Sequence, residues 1–398
     1  MIQPIFKQQS DWQRRTDAAL AWLRRSMEAT GGQGSSHSWS PLFGWAKAYP
    51  ETTGYLIETL LDYAELDKDE SLRDLAYQCA NWLVSIQLPN GAFPGLLAGN
   101  KEPSVFNTAM ILFGLARVNP TPNPSPEGRG DVERTATSSD VSSTVRSTSP
   151  LPSGEGSGVG LTRAVSWLLS TLEPDFSWRK HAYIPGFTPS YYTRAVWGVL
   201  KANQILQSTE TEYAMRQALH YYAQRLLPNG AVHDWGFQPG KPAFTHTMAY
   251  TLEGFLESAV LLNEKEIIDK KILAGDIFLT IREKAGGRTA GRYDEQWQGD
   301  YSFVCVTGNC QFSVFYHRLW EITREEKFLA AAFSFLAEIL GFQRLGKNKN
   351  RFGALPGSAP LWGPYLRWRY PNWGVKFFLD AMLRVYGAGQ INPAARVL

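Results

Sequence analysis

The sequence predicts an all-α fold: twelve helices paired as six hairpins and closed into a ring, an (α/α)6 toroid with short loop hairpins at one end. Two observations carry this prediction. Six segments bear a single apolar stripe, six others are apolar nearly all round, and the two kinds alternate along the chain. The pentapeptide Leu-Pro-Asn-Gly-Ala also occurs at 88–92 and again at 227–231, each time between a one-sided segment and an all-round one.

The elements follow in order. A one-sided helix is expected at about 11–28, then an all-round helix at 51–66. Leu72, Leu75, Ala76, Cys79, Trp82, Leu83 and Ile86 recur at helical spacing on one face. The same alternation continues through 104–116 (all-round), 160–172, 191–206 (all-round), 209–226, 245–262 (all-round), 265–282, 307–320 (all-round), 325–341 and 372–386 (all-round). A helix with one apolar stripe keeps a wet face; one without a polar face is buried on both sides. Six buried helices wrapped by six half-wet ones make two concentric layers. Gly54, Gly114, Gly198, Gly254 and Gly374 fall inside the buried helices. Each costs roughly 1 kcal/mol against alanine, so their recurrence predicts close helix packing or a needed gap above the backbone.

The repeated pentapeptide supplies the turn into a buried helix. Proline stops the preceding helix and Asn-Gly supplies a positive φ. Looser turns are expected at 175–178, 291–295 and 351–356, with a small hairpin at about 231–237. All of these loops should lie at one end of the ring. The chain is read as a single domain, 1–398, interrupted at about 119–160. That stretch has no Phe, Tyr or Trp and is rich in Pro, Gly, Ser and Thr, a composition that predicts disorder. Its Pro-then-Gly peptides suggest an in-frame inverted-repeat insertion, and deleting about 122–158 is expected to leave folding intact.

Charge and cysteine content narrow the function. With 40 basic against 37 acidic residues and no basic block, neither nucleic acid nor an anionic membrane is an expected partner. Three cysteines are too few for a disulfide framework; Cys79 reads as core, and Cys305 and Cys310 could pair. No secretory apolar region and no window of membrane-spanning length is present, so a cytoplasmic protein is expected. No metal site or cofactor is expected, since no phosphate-binding loop, dinucleotide fingerprint or zinc motif occurs.

Polar residues open the buried helices and should converge on one cavity. Glu51 sits in a first helical turn, as a dipole-favoured acid or a catalytic one. Arg194 opposes the macrodipole there and needs an anion, from the protein or from a substrate. His246, Tyr250 and Glu253 share one helix face, a base and an acid beside a carboxylate. Asp234 and Asp294 form a candidate carboxylate pair, the requirement of glycoside hydrolysis. The expected catalytic set is Asp234, Asp294, His246, Tyr250 and Glu51. The expected binding set is Arg194, Tyr192, Asn107, Asn309, Trp235, Trp297, Asn372, Trp373 and Lys376.

The segments AYPETTGYLIETLLDYAEL, EPSVFNTAMILFGL, FTHTMAYTLEGFLE, VTGNCQFSVFYHRL and RYPNWGVKFFLDAML resemble those of six-hairpin glycosidase-like α/α-toroid proteins. They look most like uncharacterised bacterial members encoded near exopolysaccharide genes. The resemblance implies an oligo- or polysaccharide in the central cavity, with a uronate or other anionic group. Hydrolases of this group would use Asp234, Asp294 and Glu51. Lyases and epimerases would use His246, Tyr250, Arg194 and Asn309 around the uronate. A second resemblance, of 87–93 to the Gln-x-x-x-Gly-x-Phe repeat of terpene cyclases and prenyltransferases, lacks their Asp-x-Asp-Asp motif and zinc triad. A non-catalytic glycan-binding protein is the remaining alternative.

Overall fold

The computed structural model describes residues 9–119 and 156–391. Six outer helices are α1 (Gln9–Ala29), α3 (Glu70–Ser85), α5 (Ser157–Ser170), α7 (Thr209–Ala223), α9 (Lys265–Lys284) and α11 (Glu326–Leu340). Six inner helices are α2 (Pro50–Asp67), α4 (Val105–Val118), α6 (Thr193–Leu206), α8 (Thr245–Leu262), α10 (Val306–Thr323) and α12 (Asn372–Ile391). Each inner helix packs on the next, and α12 packs on both α10 and α2, which closes the ring. The expected toroid is therefore present.

The two helix types differ as their apolar patterns require. In α3 only the stripe Leu72, Ala76, Cys79, Ala80 and Leu83 is buried, whereas α4 is buried continuously from Val105 to Ala116. Inner helices approach one another at backbone range. A Cβ on Gly254 would lie 2.4 Å from the Arg194 backbone nitrogen, and one on Gly308 2.1 Å from Thr245 Oγ1. No side chain fits there. Gly374 is looser, with Thr307 Oγ1 at 3.1 Å.

The far end of the ring is made of tight turns. Lys68, Gln207, Asn263 and Arg324 each end an inner helix in the left-handed conformation and return a hydrogen bond to its last turn. Two residues then suffice to start the outer helix. Only α4 and α5 are joined differently, by residues 119–156. Asn119 Oδ1 and Ser157 Oγ are 2.9 Å apart, so the chain leaves and re-enters at one point. Residues 157–160, assigned by sequence to the insertion, form the first turn of α5; 120–155 lie outside the described residues. Replacing 120–155 with a two-residue link is expected to keep the melting temperature within about 3 °C, because loop length enters stability only logarithmically. Loss of a cooperative thermal transition by circular dichroism would show that the segment contributes to the fold.

The two pentapeptide turns are alike in detail. Leu88 N–H donates to Ala92 O at 2.9 Å and Leu227 N–H to Ala231 O at 3.0 Å. The asparagine side chains accept from Ala92 and Ala231 N–H, both at 3.1 Å. Gly91 and Gly230 take the positive φ, 93° and 81°. At the same end, short strands stitch neighbouring loops together. Strand β1 (Ser38–Ser40) pairs with β2 (Gly44–Trp45) and with β7 (Tyr370–Pro371), β3 (Ala243–Phe244) with β4 (Arg292–Tyr293), and β5 (Val304–Cys305) with β6 (Ser358–Ala359). The hairpin expected at 231–237 is reduced to one bridge, Leu226 with Val232, because the left-handed Asp234 turns the chain away. Cys305 and Cys310 are free and buried; the disulfide allowed by their spacing does not form. Among the described residues no helix is long and apolar enough to cross a membrane.

Candidate active site

The loop end of the ring encloses a cavity of about 780 Å³. Inner-helix N-termini supply its floor: Glu51 from α2, Phe106 and Asn107 from α4, His246 and Tyr250 from α8, and Trp373 from α12. Loops supply the wall, with Tyr49, Tyr191, Phe237, Phe244 and Tyr365 aromatic, and Lys241, Arg292 and Glu102 charged. Aromatic faces beside a few polar groups suit a ring with apolar faces and a hydroxylated edge.

Glu51 is the central polar group. It is only 8% exposed, and the Tyr49 hydroxyl donates to its carboxylate. Burial raises its pKa from 4.5 to about 7, with Tyr49 and the charge of Arg194 opposing. At neutral pH the carboxyl is thus poised between its two forms, the condition for general acid or base work. His246 lies on the same floor, its ring 4.3 Å from that of Tyr250. Its Nδ1 is 2.6 Å from the Gln311 carbonyl oxygen, which assigns the proton to Nδ1 and leaves Nε2 an acceptor. Burial first, then Arg194, lowers its pKa to about 3, so the imidazole is neutral. His37 is likewise lowered to about 4 by burial and Arg369.

Arg194 does not face the cavity. It is buried beneath the floor, pairs with Glu253, and sits under the Tyr250 ring at 4.5 Å and the Trp197 ring at 4.9 Å. The anion it needs is a structural one. Burial pushes the Glu253 carboxyl upward in pKa, and Arg194 opposes that rise.

Of the other expected site residues, only Asn107 and Trp373 reach the cavity. Asn107 donates to the Pro94 carbonyl at 3.1 Å, and Trp373 Nε1 to the Tyr365 hydroxyl at 2.8 Å. The carboxylate pair is not formed there. Asp294 accepts from the Gln296 and Gln298 N–H groups at 2.9 and 2.8 Å, capping its own turn. Asp234 joins a clasp between two loops: His233 lies 2.9 Å from Glu295 and 3.4 Å from Asp234. The Glu295 hydrogen bond raises the His233 pKa.

The remaining misplacements have local causes. Trp235 and Trp297 pack edge to face at 5.3 Å, and Trp297 stacks on Phe278 of α9, so both belong to the loop's own core. Asn309 turns outward to Glu338 of α11 at 3.0 Å. Asn372 accepts from Trp22 Nε1 at 2.8 Å and donates to Ser26 and Ser35, tying α12 to the α1 side. Lys376 pairs with Asp380 one turn along α12. Tyr192 stacks on Phe106 and its hydroxyl accepts from Tyr183 N–H at 3.3 Å.

The cavity residues that no sequence pattern marks are chiefly His37, His181, Tyr183, Lys241 and Tyr365, with Tyr49 beside them. All are loop residues. Only Tyr49, two residues before Glu51 at the helix entrance, carried a local signal.

No protein-family model matches the chain, and no curated protein matches it. Solved structures do. An unsaturated glucuronyl hydrolase specific for heparin superposes with a TM-score of 0.68 at 14% identity, over 96% of this chain and 98% of the other. The unsaturated glucuronyl hydrolase of Bacillus sp. GL1, responsible for glycosaminoglycan degradation, gives 0.67 at 12%, over 94% and 96%. Cellobiose 2-epimerase from Spirochaeta thermophila gives 0.62 at 12%, over 95% and 98%. At these identities the likeness establishes the fold: the chain is built as these six-hairpin toroids are.

Proposed function

We propose that the chain is a carbohydrate-active enzyme that takes one end of a uronate-containing or otherwise anionic saccharide into the cavity and works on it as a hydrolase, with Glu51 as general acid. The observation that carries this reading is the buried Glu51 carboxyl, raised to about 7 on the floor of an aromatic-walled cavity. Protonated Glu51 gives its proton to the departing oxygen, water adds to the sugar carbon, and the carboxylate recovers a proton from that water. Lys241 on the wall offers positive charge to an anionic substituent, next to Arg292, whose guanidinium pairs with Asp300. The glucuronyl hydrolases of the same fold support the substrate class. The sequence-expected roles of Asp234 and Asp294 pass to Glu51, with Glu102 as the second cavity carboxylate.

His246 favours a second reading. An imidazole whose Nε2 carries no proton is placed to accept one from a carbon next to a carbonyl or carboxylate, the chemistry of an epimerase or lyase, provided the substrate's negative charge raises its lowered pKa. Three free, buried cysteines fit a reducing compartment, and we place the activity in cytoplasmic turnover of a polysaccharide, an exopolysaccharide by the sequence resemblance.

One assay on saturated and 4,5-unsaturated oligouronides separates these readings. A hydrolase releases reducing ends, and removes the near-ultraviolet absorbance of an unsaturated terminus. A lyase creates that absorbance, and an epimerase instead exchanges a sugar C–H with solvent deuterium. Tight binding with no turnover by any of these measures would make the chain a glycan-binding protein.

A further inference from the structure

Resting on the reading of the cavity as a saccharide site, we infer that Trp362 and Trp368 form an outer sugar-binding platform, on which a saccharide chain leaving the cavity stacks. Among the described residues, every other tryptophan is buried or half-buried, while these are 60% and 43% exposed. Packing within the fold therefore does not explain them. Their ring centroids lie 6.2 Å apart with the planes tilted by 39°, so the pair presents its outer faces to solvent.

The two tryptophans sit in a loop that also lines the cavity. Trp362 and Trp368 flank Pro364, Tyr365 and Leu366, which line it. Tyr365 reaches the floor, its ring 5.4 Å from His246 and its hydroxyl bonded to Trp373. One loop, between β6 and β7, thus touches the candidate catalytic floor and presents two indoles outside it. Leu96 and Tyr183, also exposed, continue the apolar surface around the same mouth.

The loop is held rigidly. Trp368 N–H donates to Leu361 O at 2.9 Å, Gly357 N–H to Arg369 O at 3.0 Å, and Ser358 Oγ to Tyr365 O at 2.7 Å. Arg367 Nε donates to the Trp362 carbonyl at 3.1 Å, which holds an exposed cation in the same loop as the two rings. Leu366 and Trp368 are held at φ 51° and 59°, a costly conformation for bulky side chains that concentrates at ligand clamps. Rigid aromatic faces bind at low entropy cost. Their apolar faces match the C–H faces of pyranose rings, and Arg367 matches a uronate.

The test is calorimetric titration of the full chain with β-1,4-glucuronan oligosaccharides of two, four and six residues, and with the neutral cello-oligosaccharides of the same lengths. Wild type is expected to bind the glucuronan hexamer about tenfold or more tighter than the dimer. W362A/W368A should lose that gain and keep dimer affinity and melting temperature, while W362F/W368F should retain most of it. Equal dimer and hexamer affinity in wild type, or a gain that survives the double alanine variant, overturns the platform and leaves the cavity reading standing. Failure of every oligosaccharide to bind overturns both. A wild-type dimer by light scattering that W362A/W368A converts to monomer, with sugar binding unchanged, reassigns the surface to self-association and also overturns the platform.

Discussion

If the proposed hydrolase reading holds, Glu51→Gln is expected to cut turnover of an oligouronide by roughly 10²–10⁴-fold, the usual contribution of a positioned acid, while making the protein more stable at alkaline pH. The second effect follows from linkage. The unfolded carboxyl titrates near 4.5 and the folded one at about 7. Below pH 4.5 both states are protonated and Glu51 contributes no pH dependence. Between the two values the unfolded chain releases a proton that the folded chain keeps, so stability falls as pH rises, and it levels off above 7. The shift corresponds to about 3 kcal/mol as an upper bound. Glutamine keeps an acceptor for the Tyr49 hydroxyl and has nothing to ionise. Urea denaturation of both proteins should therefore diverge from pH 5 to pH 8, with the variant gaining. A constant difference across that range means the folded Glu51 titrates normally and is not the poised acid.

The ring was legible in the sequence because its cause is local. Apolar patterns on 72–86 and 104–116 state directly which helix has a wet face and which has none. The repeated pentapeptide marks equivalent turns that the structure forms with the same hydrogen bonds. Of the residues that open inner helices, Glu51, His246, Tyr250, Asn107 and Trp373 reach the cavity, whereas Asn309 and Asn372 turn to neighbouring helices, a choice the ring alone does not make. The loops were not legible. Asp234 and Asp294 lie at the correct end of the ring, and sequence position says no more than that. Their direction depends on left-handed residues at 234 and 297 and on a His233–Glu295 clasp spanning two hairpins. Tyr365 and Lys241 enter the wall through pairings between distant loops, β6 with β5 and β3 with β4, which no local pattern encodes. Arg194 shows the intermediate case. Its need for an anion was visible from its place in a first helical turn. Whether Glu253 or a substrate met that need depended on how α6 packs against α8.

That buried pair supports the largest expected loss of stability. Arg194 and Glu253 side chains are 4% and 6% exposed, and Arg194 is surrounded by Phe113, Trp197, Tyr250 and Phe377 rings. Arg194→Met preserves much of the volume and strands Glu253 in an apolar surround, at an expected cost of about 3–5 kcal/mol. Arg194→Met combined with Glu253→Leu removes both charges and should recover to within about 1 kcal/mol of wild type, because an ion pair and a well-packed apolar pair are often close in energy. Denaturant unfolding of the two single variants and the double variant measures this coupling directly. The recovered double variant then reports on the site above it. Arg194 favours the ionised form of Glu51, so its loss raises the Glu51 pKa further and moves the alkaline limb of the activity profile to higher pH. A merely structural Arg194 would restore stability in the double variant with that limb unmoved. Movement of the limb makes Arg194 a positioning residue, the buried cation that sets where Glu51 gives up its proton.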